Sequence, residues 1–258
     1  MFATGGDAVV QVCQRCGMPV RHGFKFCNVC GEPYAEETNP IEDVVLYSPY
    51  LGYKGRVVRC LSGADAGRFY DACPILTFGR ENADISIGGD PTVSPAHARI
   101  EVGEKEMFIK DTGALNGVFL KVHDKIVLSD NDIIRAGDHY FLYEEIEIEA
   151  FSEESGTDFY ASPLRGESFR LVEILSGGRC GRAMVSDDDA VSVGRTEGNF
   201  TFPGDEKMSG LHFSIKHSQR GTVLSDSSVN GTFVQIHDST PIEQGDILFI
   251  GDTLFCMY

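Results

Sequence analysis

The stretch "GRENADISIGGDPTVSPAHARI" at residues 79–100 decides the fold, because its skeleton returns as "GRTEGNFTFPGDEKMSGLHFSI" at residues 194–215. Both copies begin with Gly-Arg and place Ser-x-x-His 14 residues after the Arg, although the residues between share little. The match extends from Leu61 to Asp138 in the first copy, at an offset of 114 or 115 positions. A period of this length indicates a duplicated domain rather than a solenoid repeat.

The rest of the chain supports two domains with separate cores. Its 258 residues are enough for two domains of about 100 residues each and one small extra unit. Short apolar runs such as "ILTFG", "EMFIKD" and "YFLYEE" alternate with Gly, Asp and Asn, and no segment carries a long helical stripe. We therefore predict an all-β protein.

The overall charge argues against one large class of function. A formal net charge of -17 and a pI near 4.7 argue against a protein that binds nucleic acid or anionic lipid through its general field. The chain has no apolar run of about 18 to 20 residues and does not open with a basic segment followed by an apolar one. We expect a soluble, cytoplasmic protein that makes no contact with membranes.

Half of the eight cysteines form two Cys-x-x-Cys pairs near the N-terminus, and the other four are scattered singly. Each pair is followed by Gly, and this spacing predicts a small ribbon with one structural Zn²⁺ that couples metal binding to folding. The predicted ligands are Cys13, Cys16, Cys27 and Cys30. Redox chemistry, a disulfide pair and iron remain alternatives. The basic residues of the ribbon keep nucleic-acid binding open as a competing function, although a solvated polar face explains them more simply.

Composition divides the chain into five segments. Two stretches are rich in acidic residues and contain prolines, as expected of tethers. The predicted organisation is a zinc ribbon at 1–31, an acidic linker at 32–52, the first repeat at 53–148, a second acidic linker at 149–168 and the second repeat at 169–258.

The positions that the two copies share are those with special chemical or backbone duties. An Arg that follows Gly at a strand end presents a donor fork suited to phosphate, and a nearby Ser adds a hydroxyl donor. An Asn-Gly turn tolerates positive φ, and its amide can hold a peptide backbone. The shared residues are Gly79, Arg80, Ser94, His97, Asn116 and Gly117 in the first copy and Gly194, Arg195, Ser209, His212, Asn230 and Gly231 in the second.

With the His residues set aside as loop organisers, a site of one Arg, one hydroxyl and one peptide-holding Asn has donors for an oxyanion but no second titratable partner to act as a base. It therefore predicts a binding protein rather than an enzyme. We interpret His97 and His212 as buried residues that organise the loops, and a catalytic or metal-binding role for them is the alternative.

These motifs resemble forkhead-associated (FHA) domains in two copies, as "FGR…SPAH…DTGALNGVF" and "VGR…SGLH…DSSVNGTF". The resemblance covers roughly 190 of the 258 residues. It implies two FHA-type β-sandwiches in tandem, preceded by the zinc ribbon, with loops that capture phosphothreonine in a partner. By resemblance, Arg80 with Ser94 and Arg195 with Ser209 would bind phosphate, and Asn116 and Asn230 would hold the peptide main chain.

The two copies differ in completeness. The hydroxyl residue two positions before the Asn is Ser228 in the second copy but Ala114 in the first, and the Thr after Asn-Gly is Thr232 but Val118. We therefore expect the second site, with Ser228 as a further phosphopeptide-binding residue, to be the more complete one. The first is expected to bind more weakly or to be partly structural.

The resemblance implies a non-enzymatic adaptor in Ser/Thr kinase signalling in a bacterial cytoplasm. Its partners would be phosphothreonine-containing proteins and a Ser/Thr kinase. A phosphate-independent scaffold and a nucleic-acid-binding regulator acting through the ribbon are the alternatives. Thr38 lies in the acidic stretch "EETNPI" with Ile41 three residues on, and we hypothesise that it is a regulatory phosphosite that occupies the protein's own pocket.

Overall fold

The computed structural model describes Arg15 and residues 57–72, 74–103, 106–146, 168–185 and 190–258. Within these ranges the regular structure consists of twenty β-strands, and they contain no helix. The prediction of an all-β protein is confirmed. The strands group into two compact units, and each unit contains two five-stranded sheets.

Unit 1 combines the described residues up to Lys121 with Ile236–Tyr258. One of its sheets has the order β7-β19-β20-β1-β2 and the other the order β18-β6-β5-β3-β4. Its strands are β1 Val57–Cys60, β2 Phe69–Asp71, β3 Ile75–Gly79, β4 Ile85–Ser86, β5 Ala98–Val102, β6 Met107–Asp111, β7 Val118–Lys121, β18 Ser239–Ile242, β19 Ile247–Ile250 and β20 Thr253–Met257.

Unit 2 is the continuous segment Val122–Gln235. Its sheets have the orders β12-β11-β10-β9-β17 and β14-β13-β15-β16-β8. Its strands are β8 Lys125–Leu128, β9 Ile133–Ala136, β10 His139–Glu145, β11 Phe169–Leu175, β12 Arg179–Val185, β13 Ala190–Gly194, β14 Phe200–Thr201, β15 Phe213–Ser218, β16 Gly221–Asp226 and β17 Thr232–Gln235.

The compact units do not coincide with the repeats drawn from the sequence at 53–148 and 169–258. Each unit takes seven strands from one repeat and three from the other, because β8–β10 lie in unit 2 and β18–β20 lie in unit 1. The two repeats have therefore exchanged their last three strands. The chain leaves unit 1 after Lys121 and returns to it at Ile236.

The exchanged strands pair in regular antiparallel register. β8 aligns Ile126 with Leu224 of β16, and β18 aligns Thr240 with Ile109 of β6. β10 and β20 each join a further strand, β11 and β1 respectively. The exchanged segments are therefore integral parts of both sheets of each unit.

The exchanged strands also supply the cores. Phe255 of β20 is fully buried and meets Phe78 of β3 edge to face, with 5.1 Å between ring centroids. Phe141 of β10 is fully buried, and its ring centroid lies 5.4 Å from that of Phe202 and 5.7 Å from that of Phe213. Burial of one such ring contributes about 1.5 to 3 kcal/mol. Each core therefore depends on side chains from both repeats.

The sequence could not reveal this exchange, because corresponding strands of the two repeats carry the same apolar pattern and similar lengths. β9 and β19 each have four residues and are mostly buried. Either copy can complete either sandwich, and exchange of an identical element between copies costs little free energy. The short crossovers, which begin "VHD" at 122–124 and "IHD" at 236–238, are nearly identical too.

Candidate functional site

In each unit the Gly-Arg pair ends a strand against the loop that carries the Ser. A Cβ atom built on Gly79 would lie 2.1 Å from the carbonyl oxygen of Pro95, and one on Gly194 would lie 2.1 Å from that of Gly210. No side chain fits at this distance. Glycine thus allows the backbone after the strand to approach the Ser loop, which brings the following Arg to that loop.

The Arg backbone is fixed in the same way in both units. The amide of Arg80 donates to the carbonyl oxygen of Ser94 at 3.0 Å, and the amide of Arg195 donates to that of Ser209 at 2.8 Å. The structure therefore places the Arg and the Ser that the sequence selected side by side, once in each unit.

The Ser hydroxyl links two loops and keeps its own proton. The Oγ of Ser94 accepts the amide N–H of Leu115 at 3.1 Å, and the Oγ of Ser209 accepts that of Val229 at 3.0 Å. A hydroxyl that accepts here can still donate its single proton elsewhere. Both Ser side chains therefore have a donor available for an anion at the loop surface.

The two His residues lie behind the loops and are fully buried. The Nδ1 of His97 accepts the amide of Ser94 at 3.0 Å, while its Nε2 donates to the carbonyl oxygen of Gly117 at 3.0 Å. His212 makes the same pair of contacts with Ser209 and Gly231, at 3.0 and 3.2 Å. Because the Nδ1 atoms contact main-chain amides rather than the Ser hydroxyls, the His and Ser residues do not form a nucleophile-base pair.

The Asn side chains join the same loops from the other direction. The Nδ2 of Asn116 donates to the carbonyl oxygen of Thr92, and that of Asn230 to the carbonyl oxygen of Lys207, each at 2.7 Å. One N–H and the amide oxygen of each Asn remain for a ligand, which is the donor and acceptor pair that a peptide backbone requires.

Ser228 has a different position from the one expected of a phosphate ligand. Its Oγ donates to Asp226 Oδ1 at 2.7 Å and accepts the amide of Gly231 at 2.7 Å. A hydroxyl has one proton, and this one is committed to Asp226. Ser228 therefore shapes the loop, and sequence similarity alone does not distinguish that duty from contact with phosphate.

In unit 2, Asp226 accepts the hydrogen bonds that hold the loop before Asn230, and we call this set of bonds the loop brace. Its Oδ1 also accepts the amide of Ser228 at 3.1 Å and the hydroxyl of Thr232 at 2.8 Å. In unit 1 the corresponding Asp111 accepts only the amides of Gly113 and Ala114, at 2.8 and 2.7 Å, among the contacts in the described part of the chain. The loop before Asn116 thus lacks two side-chain hydrogen bonds that its counterpart has.

The largest difference between the two sites concerns the guanidinium groups. The Nε of Arg80 donates to the carbonyl oxygen of Val93 at 2.8 Å, and its Nη2 donates to that of Pro91 at 3.2 Å. The guanidinium of Arg195 makes no hydrogen bond or ion pair with the residues that the structure describes. Arg195 therefore offers its complete set of donors to a ligand, whereas Arg80 has two of them committed to its own loop.

Two aspartates that position these loops were not selected from the sequence. They are Asp90 and Asp205, each of which accepts amide protons just before the Ser. Asp90 and Asp205 recur at the same offset as the Arg and Ser pairs. That recurrence was the signal that could have identified them.

Burial acts to raise the pKa of Asp90, but hydrogen bonds from Thr92 and from the amide of Asp252 outweigh it and lower that pKa below its usual value. The carboxylate of Asp90 is thus held in its charged form by the loop that it anchors.

Other predictions fall outside the described residues. Cys13, Cys16, Cys27 and Cys30 lie there, as does Thr38, so the zinc ribbon and the regulatory phosphosite stay predictions. Within the described ranges no group of three or more His, Cys, Asp or Glu side chains is arranged to hold a metal ion. The same ranges contain no helix of the length and apolarity needed to cross a membrane.

Comparison with known families identifies part of the chain. The sequence model of the FHA domain family matches residues 76–137, so the chain carries an FHA domain there. This match contains Arg80, Ser94 and Asn116 of unit 1 and then continues past Lys121 into the exchanged strands. No curated protein matches the sequence.

Two solved structures are similar to the chain. One is the FHA domain of the CT664 protein from Chlamydia trachomatis, with 14% identity over 78% of this chain and 93% of that one, and a TM-score of 0.32. The other is Mycobacterium tuberculosis EmbR in complex with a low affinity phosphopeptide, with 28% identity over 34% of this chain and 24% of that one, and a TM-score of 0.23.

Proposed function

We propose that the protein is a non-enzymatic adaptor that binds phosphothreonine-containing segments of partner proteins, chiefly through unit 2. The observation that carries the proposal is the state of Arg195: its guanidinium is unengaged by the described residues and its backbone is tied to Ser209. Ser209 retains a donatable proton, and Asn230 retains a donor and an acceptor for the peptide main chain. The set suits a phosphorylated side chain on an extended peptide.

The protein's charge places a constraint on this function. At a net charge of -17 the chain repels an anionic peptide at long range, so selectivity has to come from contact at the site. Charge-assisted hydrogen bonds contribute about 1.5 to 3 kcal/mol each. Two or three of them favour the phosphorylated form over the unmodified one by on the order of a hundredfold or more.

In the wider proposal, a Ser/Thr kinase supplies the phosphorylated partners, and the protein acts in a bacterial cytoplasm as two FHA-type modules behind a Zn²⁺ ribbon. The FHA match at 76–137 supports the phosphopeptide-binding part of this proposal. The negative charge disfavours a nucleic-acid-binding regulator.

A second function is favoured for unit 1 by two observations. Because two donors of Arg80 are held by backbone carbonyls, phosphate has to displace or share them. Leu115, at the tip of the same site, has 91% of its surface exposed. Unit 1 suits weaker phosphate binding or a phosphate-independent contact with a partner.

The test compares phosphothreonine and unmodified threonine peptide libraries on the intact protein. We expect binding that depends on phosphate, a loss of about a hundredfold in affinity with Arg195→Ala, and a smaller loss with Arg80→Ala. Arg220→Ala is the matched control, because Arg220 is exposed in unit 2 at the turn between β15 and β16. Affinity that is indifferent to phosphate and to both site arginines would overturn the proposal.

A further inference from the structure

A buried aspartate connects the Ser loop of unit 2 to the turn between β9 and β10. The side chain of Asp205 is only 3% exposed. Its Oδ1 accepts the amides of Lys207 and Met208 at 2.8 and 3.2 Å, and its Oδ2 accepts the amide of Asp138 at 2.7 Å. One carboxylate thus holds a turn from the first repeat and a loop from the second.

The turn has to contain glycine for this contact to form. Gly137 has a φ of +59°, and a Cβ atom built there would lie 2.1 Å from Asp205 Oδ2 and 2.8 Å from its Cγ. Any other residue would be strained in its backbone and would push the carboxylate away. Gly137 therefore determines where Asp205 can lie.

The contact continues to the ligand-binding side chains in two short steps. The Lys207 amide is held by Asp205, and the carbonyl oxygen of Lys207 accepts the Nδ2 of Asn230 at 2.7 Å. Ser209 follows two residues later on the same loop. A shift of Asp205 would therefore move the loop that carries both the Ser hydroxyl and the anchor of the Asn side chain.

Unit 1 contains the same arrangement with the repeats reversed. Asp90 accepts the amide of Thr92 on Oδ1 and the amide of Asp252 on Oδ2, each at 2.8 Å. Gly251 has a φ of +61°, and a Cβ atom there would lie 2.6 Å from Thr92 Oγ1 and 2.8 Å from Asp90 Oδ2. The carbonyl oxygen of Thr92 in turn holds Asn116.

We infer that each repeat supplies the glycine turn that positions the phosphate loop of the other repeat. Gly137 and Asp205 are positioning residues for the site of Arg195, and Gly251 and Asp90 are positioning residues for the site of Arg80. The inference rests on the proposed function for its binding readout. The inference also distinguishes the observed exchange of strands from a simple tandem of domains. In a simple tandem, Gly137 would position the loop of its own repeat, at the site of Arg80.

The experiment measures affinity for the phosphothreonine peptide selected from the library, with one site reporting at a time. In full-length Arg80→Ala protein, where the site of Arg195 reports, Gly137→Ala should lower affinity on the order of tenfold and Gly251→Ala should leave it unchanged. In full-length Arg195→Ala protein the two glycine variants should exchange their effects. The glycine variants therefore serve as controls for each other.

Gly177→Ala controls for the general cost of replacing a glycine at positive φ. Gly177 has a φ of +79° in the turn between β11 and β12 of unit 2, and a Cβ atom there meets nothing within 4 Å. It should destabilise unit 2 without changing affinity at the site of Arg195. An effect of Gly137→Ala on the site of Arg80, or on neither site, would overturn the inference.

A second variant and a spectroscopic readout cover the case in which Gly137→Ala does not fold. Asp205→Asn replaces the acceptor of the Asp138 amide while retaining one oxygen for the loop. In amide NMR spectra of the ligand-free protein, Asp205→Asn should shift the signals of Asp138, Lys207 and Ser209 and leave those of Thr92 and Ser94 in place. Unchanged Asp138 signals would contradict the contact, and absence of any phosphopeptide binding to the unsubstituted protein would refute the proposed function instead.

Discussion

The sites of the two units share one framework and differ in what they leave available to a ligand. Both hold a Ser between a buried His and a loop amide, and both tie an Asn to the preceding loop at 2.7 Å. In unit 1 the guanidinium bonds its own loop, and in unit 2 it does not bond the described residues. The framework therefore sets the positions of the donors, and the engagement of the Arg decides how many donors a phosphate can reach.

Each site belongs to a unit built from both repeats, and the connection between the repeats gives the largest predicted effect. A protease site inserted between residues 150 and 160 should allow the chain to be cut without separating the fragments. β8–β10 would remain in unit 2 and β18–β20 in unit 1, so the fragments should elute together from a sizing column. They should separate only under denaturing conditions.

The elution of the cut protein could also contradict the exchange of strands. Elution as two folded fragments in native buffer would mean that each repeat keeps its own last three strands. The two sites would then belong to independent domains. The control is the protein without the inserted protease site, treated with the same protease.

Adding or removing hydrogen bonds of the loop brace should have a smaller effect, on phosphopeptide affinity. Ala114→Ser with Val118→Thr should give unit 1 the two side-chain hydrogen bonds that Asp226 accepts in unit 2. Each such bond contributes about 0.5 to 1.5 kcal/mol. Measured in Arg195→Ala protein, phosphopeptide affinity should rise about three- to tenfold, and Ser228→Ala should lower it to a similar degree in Arg80→Ala protein.

Ala66→Ser is the control for the added hydroxyl, because Ala66 is exposed in the turn between β1 and β2. If the double substitution leaves unit 1 unchanged, the difference between the sites lies in the Arg alone.

The smallest predicted effect is the pH dependence of the stability that Asp90 contributes. Since the folded-state pKa of Asp90 is lowered, its carboxylate contributes stability that is present above the ordinary pKa and is lost as the pH falls through the folded-state pKa. Asp90→Asn should lower the free energy of unfolding by about 1 kcal/mol at pH 7. The difference between the unsubstituted and substituted proteins should shrink as the pH falls from 7 to about 3, below the ordinary aspartate pKa of about 3.9.

Urea unfolding at the two pH values measures this difference. Asp71→Asn is the control, because Asp71 is exposed on β2 and should have no comparable effect at either pH. A difference for Asp90→Asn that is the same at both pH values would show that the loop uses the shape of Asp90 rather than its charge.

Much of the site could be predicted from the sequence, because the two copies keep only residues with special duties. The Gly-Arg pairs, the Ser and His pairs and the Asn-Gly turns each reach the positions that their spacing suggested. Ser228 was predicted to contact the ligand, but its proton is donated to Asp226. A motif records which residues recur and does not show which partner uses a given hydrogen.

By itself, the sequence determined the all-β class, the duplication and the loop residues of each site, because strand alternation and fixed spacing are local properties of the chain. Only the tertiary structure decided which copy of β8–β10 or β18–β20 completes which sandwich, since both copies satisfy the same pattern. It also decided that Arg80 turns onto Val93 and Pro91 while Arg195 does not. Both outcomes depend on the competition between equivalent partners in space, which residue identity and spacing leave open.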